Sequence, residues 1–502
     1  MHSFNGCISC CRGGGSPWPA KGENVRKYVI TLGAAAGLLA LSATGAHAAS
    51  TQAAQGVGGV APPTSGIVST TAVAGTPHLK TADDNPTQQI RQIVQCGSTM
   101  YAVGSFTTII RQSSTYTRSD IVSFSATAPY TVTSLAPAVV GSDINSIAFN
   151  GSNCADAYIG GVFTSVGGTS VKNIAEISTT TGSVVTAFAH SAAGSVQTLL
   201  GAGGHILAGG YYTSINGSSA DPYFTSLNPT TGKDDGFLKL NISGNYNFSG
   251  VSSNATRVFN QSLSHSGQLD LVMGDFTSVG GLPRQQIFML NLATSPATVT
   301  AWSSPQWDGS GGEATPSDPN DGYPYECATV EPYYIQAAAW SPDDSEIYIG
   351  TTGYHPNGWP TGATPRNGLC DVAAAFPATQ AEVLDTWINY TGCDSLYAAA
   401  ADADAAYFAG HERFSMNPDD CDALGPNAYN APGIEGLQPS TGDLYLNSAG
   451  SAGYYSRDRG LGADDMLATS AGLWIASDNF EGSQMCGGVQ NLAGLCLLPY
   501  TE

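Results

Sequence analysis

The chain has 502 residues, with 39 acidic against 17 basic side chains and a formal net charge of −22 at pH 7. So acidic a surface disfavours nucleic acid and anionic membranes as partners, because their phosphates repel it. Charged residues make up only 11%, glycines number 61, and no apolar pattern is sustained at helical spacing, so the composition points to an all-β chain rich in turns.

Residues 1–48 read as a leader, with the signal peptide proper at 21–48. Arg26 and Lys27 form its basic start, residues 28–42 its apolar stretch, and Ala46-His47-Ala48 a cleavage site, so an exported mature chain would begin at Ala49. The residues upstream carry Cys7, Cys10 and Cys11, an odd prelude to a signal peptide. Initiation at Val25 would account for them; the alternative is a C-x-x-C zinc site that lacks two further ligands. The Ala/Gly/Pro-rich stretch 49–65 reads as a flexible linker, and 66–502 as the folded domain.

The folded domain repeats itself. The phrase GGVFTSVGG at 160–168 returns as GGYYTSING at 209–217, GDFTSVGG at 274–281 and VGSFTTI at 103–109, each time after a short apolar run. Residues 194–241 show the unit whole: SVQTLLGA, HILAGGYYTSI, PYFTSLN and GFLKLN are four short strand patterns separated by Gly and Asn turn signals. Four antiparallel strands of this size make one propeller blade, and self-similarity at this period marks a repeat architecture. The glycine closing the second strand recurs at Gly104, Gly161, Gly210, Gly274, Gly350 and Gly410, with Ser477 in a seventh, degenerate copy. The expected fold is therefore all-β: a single β-propeller of seven four-stranded blades, six or eight being the alternatives. The last unit runs out of chain before a fourth strand, so residues 66–80 are expected to supply it and close the ring.

These motifs resemble the delta-sixty repeat family of bacterial secreted β-propellers. The match is good over 101–302 and poor after Gly350, where the Phe-Thr pair is lost. The resemblance implies the fold and a secreted state, and no activity.

Eight cysteines remain after the leader: Cys96, Cys154, Cys327, Cys370, Cys393, Cys421, Cys486 and Cys496. An even count in an exported chain reads as four disulfides. Spacing cannot fix the connectivity, but proximity favours pairing in sequential order, with Cys96–Cys154 joining neighbouring blades. Metal binding by these residues is the lesser alternative.

Three insertions break the repeat, at 303–334, 351–369 and 412–433. In an antiparallel blade, the loop entering it and the loop after its second strand lie on one face, so all three insertions emerge together. Long loops on a rigid scaffold are where binding usually resides. They are rich in Trp and Tyr, including Trp302, Trp307, Trp359 and Tyr429, which either stack on sugars and peptides or pack the loops down. The position after the second-strand glycine adds Asp275, His411 and Asp478, with Glu412 and His355 nearby. Unit seven contributes Arg457, Arg459, Asp464 and Asp465.

Such a set could bind calcium or a transition metal, or supply a general acid and base. Alternatively, the Arg and Asp residues pair with one another, or the two aspartates bond one blade to the next. No cofactor is specified by any motif: there is no G-x-S-x-G elbow, phosphate-cradling loop or H-E-x-x-H. The expectation is a secreted monomer that binds an extracellular glycan or protein on the insertion face, with no membrane span in the mature chain. A propeller glycoside hydrolase or lyase and a structural cell-surface repeat protein are the rivals.

Overall fold

The computed structural model describes residues 54–55, 66–82, 87–245, 255–307, 335–353, 369–418, 423–446, 462–479 and 492–501. Among them the chain is an all-β propeller, with strands throughout and one short 3-10 turn at Pro305–Trp307. No helix among the described residues is long and apolar enough to cross a membrane.

Seven antiparallel sheets recur in chain order, each built on three strands that follow one another up and down. Unit one has Gln89–Cys96, Thr99–Ser105 and Ile121–Ser125; unit six has Leu396–Ala401, Ala406–Gly410 and Ile434–Leu437. First strands touch first strands from each unit to the next, and that of unit one, Gln89–Cys96, also touches that of unit seven, Ala463–Thr469. Apolar clusters fill the spaces between successive sheets. Val103 and Tyr101 of unit one pack with Ile144 and Ile159 of unit two, and Ile90 and Met100 with Trp474 and Leu495 of unit seven. Because both faces of each sheet are covered, the second strands are continuous apolar runs, not alternating ones.

One device recurs in all seven units. The first strand carries a β-bulge near its start, so that its residues pair on either side of an extra one, as at Arg91, Gln197, Phe259, Gln336, Tyr397 and Asp464. In unit two the ladder is interrupted more than once, including at Asn145. The bulge explains the repeated glycine. A Cβ on Gly104 would lie 2.0 Å from the carbonyl oxygen of Gln89, and one on Gly410 2.0 Å from that of Ser395. The backbone of the bulged strand sits where a side chain would be. At Gly350 the nearest atom is a side-chain carbon at 3.1 Å, and unit seven, with Ser477, dispenses with glycine.

The four-strand expectation holds unevenly. Units four and five have a fourth strand, at Thr298–Val299 and Trp387–Tyr390. Elsewhere the returning chain touches the third strand at a single bridge, such as Leu227 to Asp234. GFLKLN of unit three is not a strand: Phe237, Leu238 and Leu240 are buried, but side chains take over its backbone bonding. The Leu238 amide donates to Ser226 Oγ at 2.9 Å, and the Leu240 amide to Asp221 Oδ1 at 3.0 Å.

The last sheet ends at Leu495–Pro499. Along its outer edge, the Ser69 amide donates to the Pro499 carbonyl at 2.7 Å, Val73 to Leu497 at 2.8 Å and Leu79 to Ala493 at 2.8 Å; Thr501 donates back to Ile67 at 2.9 Å. Ala54–Gln55, inside the expected linker, pairs in parallel with Trp387 and Ile388. The expected leader lies outside the described residues.

Candidate functional site

The start of each first strand pairs with the end of its second strand, as Gln89 with Ser105, Arg257 with Asp275 and Ile335 with Thr351. Loops entering a unit and loops leaving its second strand therefore share one end of the sheet, which is where the three insertions depart. Their bodies lie largely outside the described residues; their roots are firmly packed. Trp302 and Trp307 are buried, with ring centroids 5.2 Å apart; Trp307 lies 4.6 Å from Phe376, and Trp302 Nε1 donates to the Pro377 carbonyl at 2.9 Å. These two are anchors and not ligand platforms, since a buried indole offers no face to a sugar. Tyr429 is half-buried on a small hairpin with Phe414–Ser415.

Cys96 and Cys154 form the expected bridge between units one and two, Cα to Cα 5.8 Å. Cys154 lies within the second strand, Asn153–Val166, and not before it. Cys370, Cys393 and Cys496 are also disulfide-bonded; Cys327, Cys421 and Cys486 lie outside the described residues, as do His355, Trp359, Arg457 and Arg459.

The remaining predicted site residues fall in three separate places. Asp275 is fully buried in unit four, directly across the ladder from Arg257. Asp478 is buried in unit seven, bridged to Gln89 of unit one. The position after the second-strand glycine is thus sealed wherever it carries a carboxylate, and is open only at Val162 and Tyr211.

Asp464 and Asp465 are adjacent yet serve differently. Asp465 turns into the neighbouring unit, where its Oδ2 accepts from the Ile93 amide at 2.9 Å. The same step past the bulge repeats this bond around the sheets: Gln92 Oε1 accepts from Ile147 at 2.7 Å, and Ser146 Oγ from Leu199 at 2.9 Å. Thr198 and Asn260 bond the next unit through side-chain amides instead. Units five and six have Ala337 and Ala398 there and lack the link. The two aspartates therefore do include a blade-to-blade device.

Replacing Asp465 with Ala should cost about 1–3 kcal/mol, the usual penalty for stranding a buried amide. Equilibrium urea unfolding checks it, and a change below about 0.5 kcal/mol, the scale of ordinary surface substitutions, would refute the role.

Asp464 occupies the bulge itself and is half-exposed. Burial pushes its carboxyl up to about 7, opposed by Arg91 and reinforced by Asp478 and Asp465. Arg91 in turn lies 3.4 Å from Asp143 of unit two. Asp464 Oδ2 and Asp143 Oδ1 are buried without a hydrogen-bond partner, so these carboxyls and Arg91 form a largely buried ionic cluster.

Unit six holds what sequence reasoning half-missed. His411 is half-buried, edge-on to Tyr397 with centroids 5.5 Å apart. Glu412 is buried, and so is Glu435 on the third strand. These two positions correspond to a contact pair elsewhere. In unit four they are Phe276 and Phe288, rings 5.4 Å apart; in unit three, Tyr212 donates its hydroxyl to Thr225 Oγ1 at 3.2 Å. Unit six thus places a carboxyl at each member of a pair that in the other units is apolar, hydroxyl or, at Asn479 of unit seven, an amide.

No oxygen of either glutamate makes a well-aligned hydrogen bond. Ser415 approaches Glu435 closely enough to favour its charged form slightly, but its hydroxyl donates to Asn389 at 3.1 Å. Burial is the main force, raising Glu435 to about 8 and Glu412 well above the usual carboxylate range, with Glu435 and then Asp394 pushing Glu412 further. The nearby cation is committed elsewhere: Arg413 Nε sits 2.6 Å from Asp394.

Glu435 had one available signal. Third strands aligned on the glycine carry Val122, Ala175, Thr225, Phe288, Ala375 and Cys496 at its position, and only unit six a charge. Among the described residues, no three His, Cys, Asp or Glu side chains come together as metal ligands.

The class defined by this architecture is a β-propeller whose insertions are rooted at one end of its sheets. No family model and no curated protein sequence matches the chain. Solved structures of similar form include the WD40 propeller domain of Doa1 (11% identity, 85% of this chain and 97% of that one, TM-score 0.38). Others are U3-55K (8%, 84% and 98%, TM-score 0.42) and Sqt1 of Saccharomyces cerevisiae (10%, 85% and 99%, TM-score 0.39). At such scores they add nothing to the sheet topology, on which the propeller assignment rests.

Proposed function

We propose that this chain is a non-catalytic binding module: a secreted, monomeric propeller that holds an extracellular glycan or protein on its insertion face. The seven sheets are read as the seven blades of one ring, with residues 66–80 as the closing strand, and the repeat motifs as those of a divergent delta-sixty-repeat propeller. One observation carries the preference for binding over hydrolysis. The described carboxylates considered for catalysis are sealed, as Asp275, Asp478 and Glu412 are, or engaged in structure, as Asp465 is with Ile93, and Asp464 has one carboxyl oxygen buried in the strand bulge. A glycosidase needs two carboxyl groups facing each other across an open space. Packed roots beneath variable loops suit recognition instead.

The test is a glycan array and an extracellular-protein interaction screen on the full chain, with turnover assays on every glycan retained. Retention without cleavage is the expected result. Cleavage abolished by Asp464→Asn would overturn the reading, and failure to retain any glycan or protein would remove it.

A further inference from the structure

The described base of the insertion at 412–433 is a short antiparallel stem. The Glu412 carbonyl accepts from the Gly433 amide at 2.9 Å and the Arg413 carbonyl from the Ala431 amide at 2.9 Å, and Phe414–Ser415 pairs with Tyr429–Asn430. This stem is fastened to the outer strand of unit five, Trp387–Tyr390. The Met416 amide donates to Asn389 Oδ1 at 2.8 Å, the Ser415 hydroxyl to the same oxygen at 3.1 Å, and the Asn417 amide to the Tyr390 carbonyl at 2.7 Å. Glu412 is the first residue of the stem, and Glu435 lies two residues beyond its end.

The two side chains occupy the positions that Phe276 and Phe288 fill in unit four, where the rings touch at 5.4 Å. Both are buried, and none of their four carboxyl oxygens makes a well-aligned hydrogen bond. No cation compensates them. Arg413 Nε is held by Asp394 Oδ2 at 2.6 Å, His411 turns edge-on to Tyr397, and Trp387–Tyr390 brings no charged side chain. A carboxyl in such a setting is tolerated as a neutral acid and not as an ion. Ser415 connects this pair to the fastening. Its hydroxyl bonds Asn389, yet lies close enough to Glu435 to favour that group's charged form. A hydroxyl has one hydrogen, so donating it to an ionised Glu435 withdraws it from Asn389.

We propose that the Glu412–Glu435 pair is a pH-operated latch on the base of this insertion: protonated, it keeps the stem closed against unit five, and ionised, it releases the stem. Two charges at a contact position repel, and Ser415 exchanges Asn389 for Glu435, so one change of charge both parts the stem and removes one of its ties. The sign follows from the raised carboxyls. The closed stem holds protons that an opened, hydrated stem gives up, so closure is complete below pH 4.5 and is lost as pH rises toward about 8. Asp394 reinforces the effect on Glu412. As a control on ligand capture the latch rests on the insertion-face reading above, whereas the release of the stem does not.

The experiment is hydrogen exchange read by mass spectrometry on the full chain without ligand, at pH 5.5 and pH 8, with intrinsic exchange rates corrected for. Protection of peptides covering 412–417 and 429–435 should fall at least about tenfold in the parent, the linkage for one pH unit of a single group. The matching segment of unit four, 275–287, should change by less than about threefold, a margin well inside that one-unit linkage. Glu435→Gln and Glu435→Leu should keep the stem protected at pH 8. Ser415→Ala should move the midpoint of the loss to higher pH, because Glu435 loses the bond that favours its charge, which a merely structural hydroxyl would not do. Stem protection that is flat with pH in the parent overturns the proposal. So does an equal fall in 275–287, which would mean that pH loosens the whole propeller, and so does an unchanged fall in both Glu435 variants. Because no ligand is present, each of these outcomes leaves the binding reading to its own screens.

Discussion

Glu435→Gln should make the protein progressively more stable than its parent as pH rises from 5 to 8, and leave the two nearly equal at pH 4. In the folded chain burial lifts this carboxyl from its ordinary 4.5 to about 8. The folded state then holds a proton that the unfolded state releases, so the unfolded state binds fewer protons throughout that window. Stability is therefore complete below pH 4.5 and falls as pH climbs toward 8, at up to about 1.4 kcal/mol per pH unit for a single group. Glu412 adds to the slope, since its carboxyl is raised for the same reason and by Glu435 itself.

Glutamine cannot ionise, so it removes the Glu435 share and relieves Glu412 of one repulsion. Thermal melts of parent and variant at pH 4, 6 and 8 give the answer. Parallel pH profiles for the two proteins would show that the dyad does not titrate as described. Glu435→Leu, which restores the apolar character of the other units at this position, should raise Tm still further at pH 8.

Deletion of residues 66–80 should abolish stable folding. Ile67, Val68, Ala72 and Leu79 are buried against the last two units and unit one. Losing three large aliphatic side chains forfeits about 1.5–3 kcal/mol each. The edge of Leu495–Pro499 also loses its amide donors from Ser69 and Val73, and the exposed edge becomes a template for aggregation. The sum matches the whole stability of an ordinary domain, about 5–15 kcal/mol. Soluble expression with a cooperative melt within about 5 °C of the parent, the shift roughly expected for a loss of 1–2 kcal/mol in a large domain, would refute the closing role.

The frame of this fold was readable in the repeat because its cause is local. A glycine is required wherever the bulged carbonyl comes within about 2 Å of the missing Cβ, so the same letter recurs at the same place and marks the same sheet end. The blade edges were less readable. GFLKLN has a strand's apolar alternation, yet Ser226 and Asp221 capture its amides, and no periodicity reports such side-chain capture. The site was least readable. Asp275, Asp478 and Glu412 are polar residues at promising positions, but their burial depends on which neighbouring unit covers them. Trp302 and Trp307 show the same limit: aromatic composition does not distinguish an anchor from a platform. Phe259, Gln336 and Tyr397 sit in ordinary strand patterns, and only the register shift of the ladder marks them as the bulged residues.

The bulge also separates two kinds of information in one short strand. The residue after it is committed to the neighbouring blade, as Asp465, Gln92 and Ser146 are, and tolerates little change. The bulged residue itself is unpaired in the ladder, and its side chain reaches the neighbouring unit only in some copies, as Asn145 does to Ser195 and Val196 and Arg91 to Asp143. Arginine, amide, aromatic and acid all occupy it in this one chain. Where the bulged side chain bonds no neighbour, that address can be rewritten while the frame that presents it stays constant. A library confined to positions 197 and 336, whose side chains bond no neighbouring unit, would vary the presented chemistry with little loss of folded protein, much as hypervariable loops do on other scaffolds, but from rigid strands.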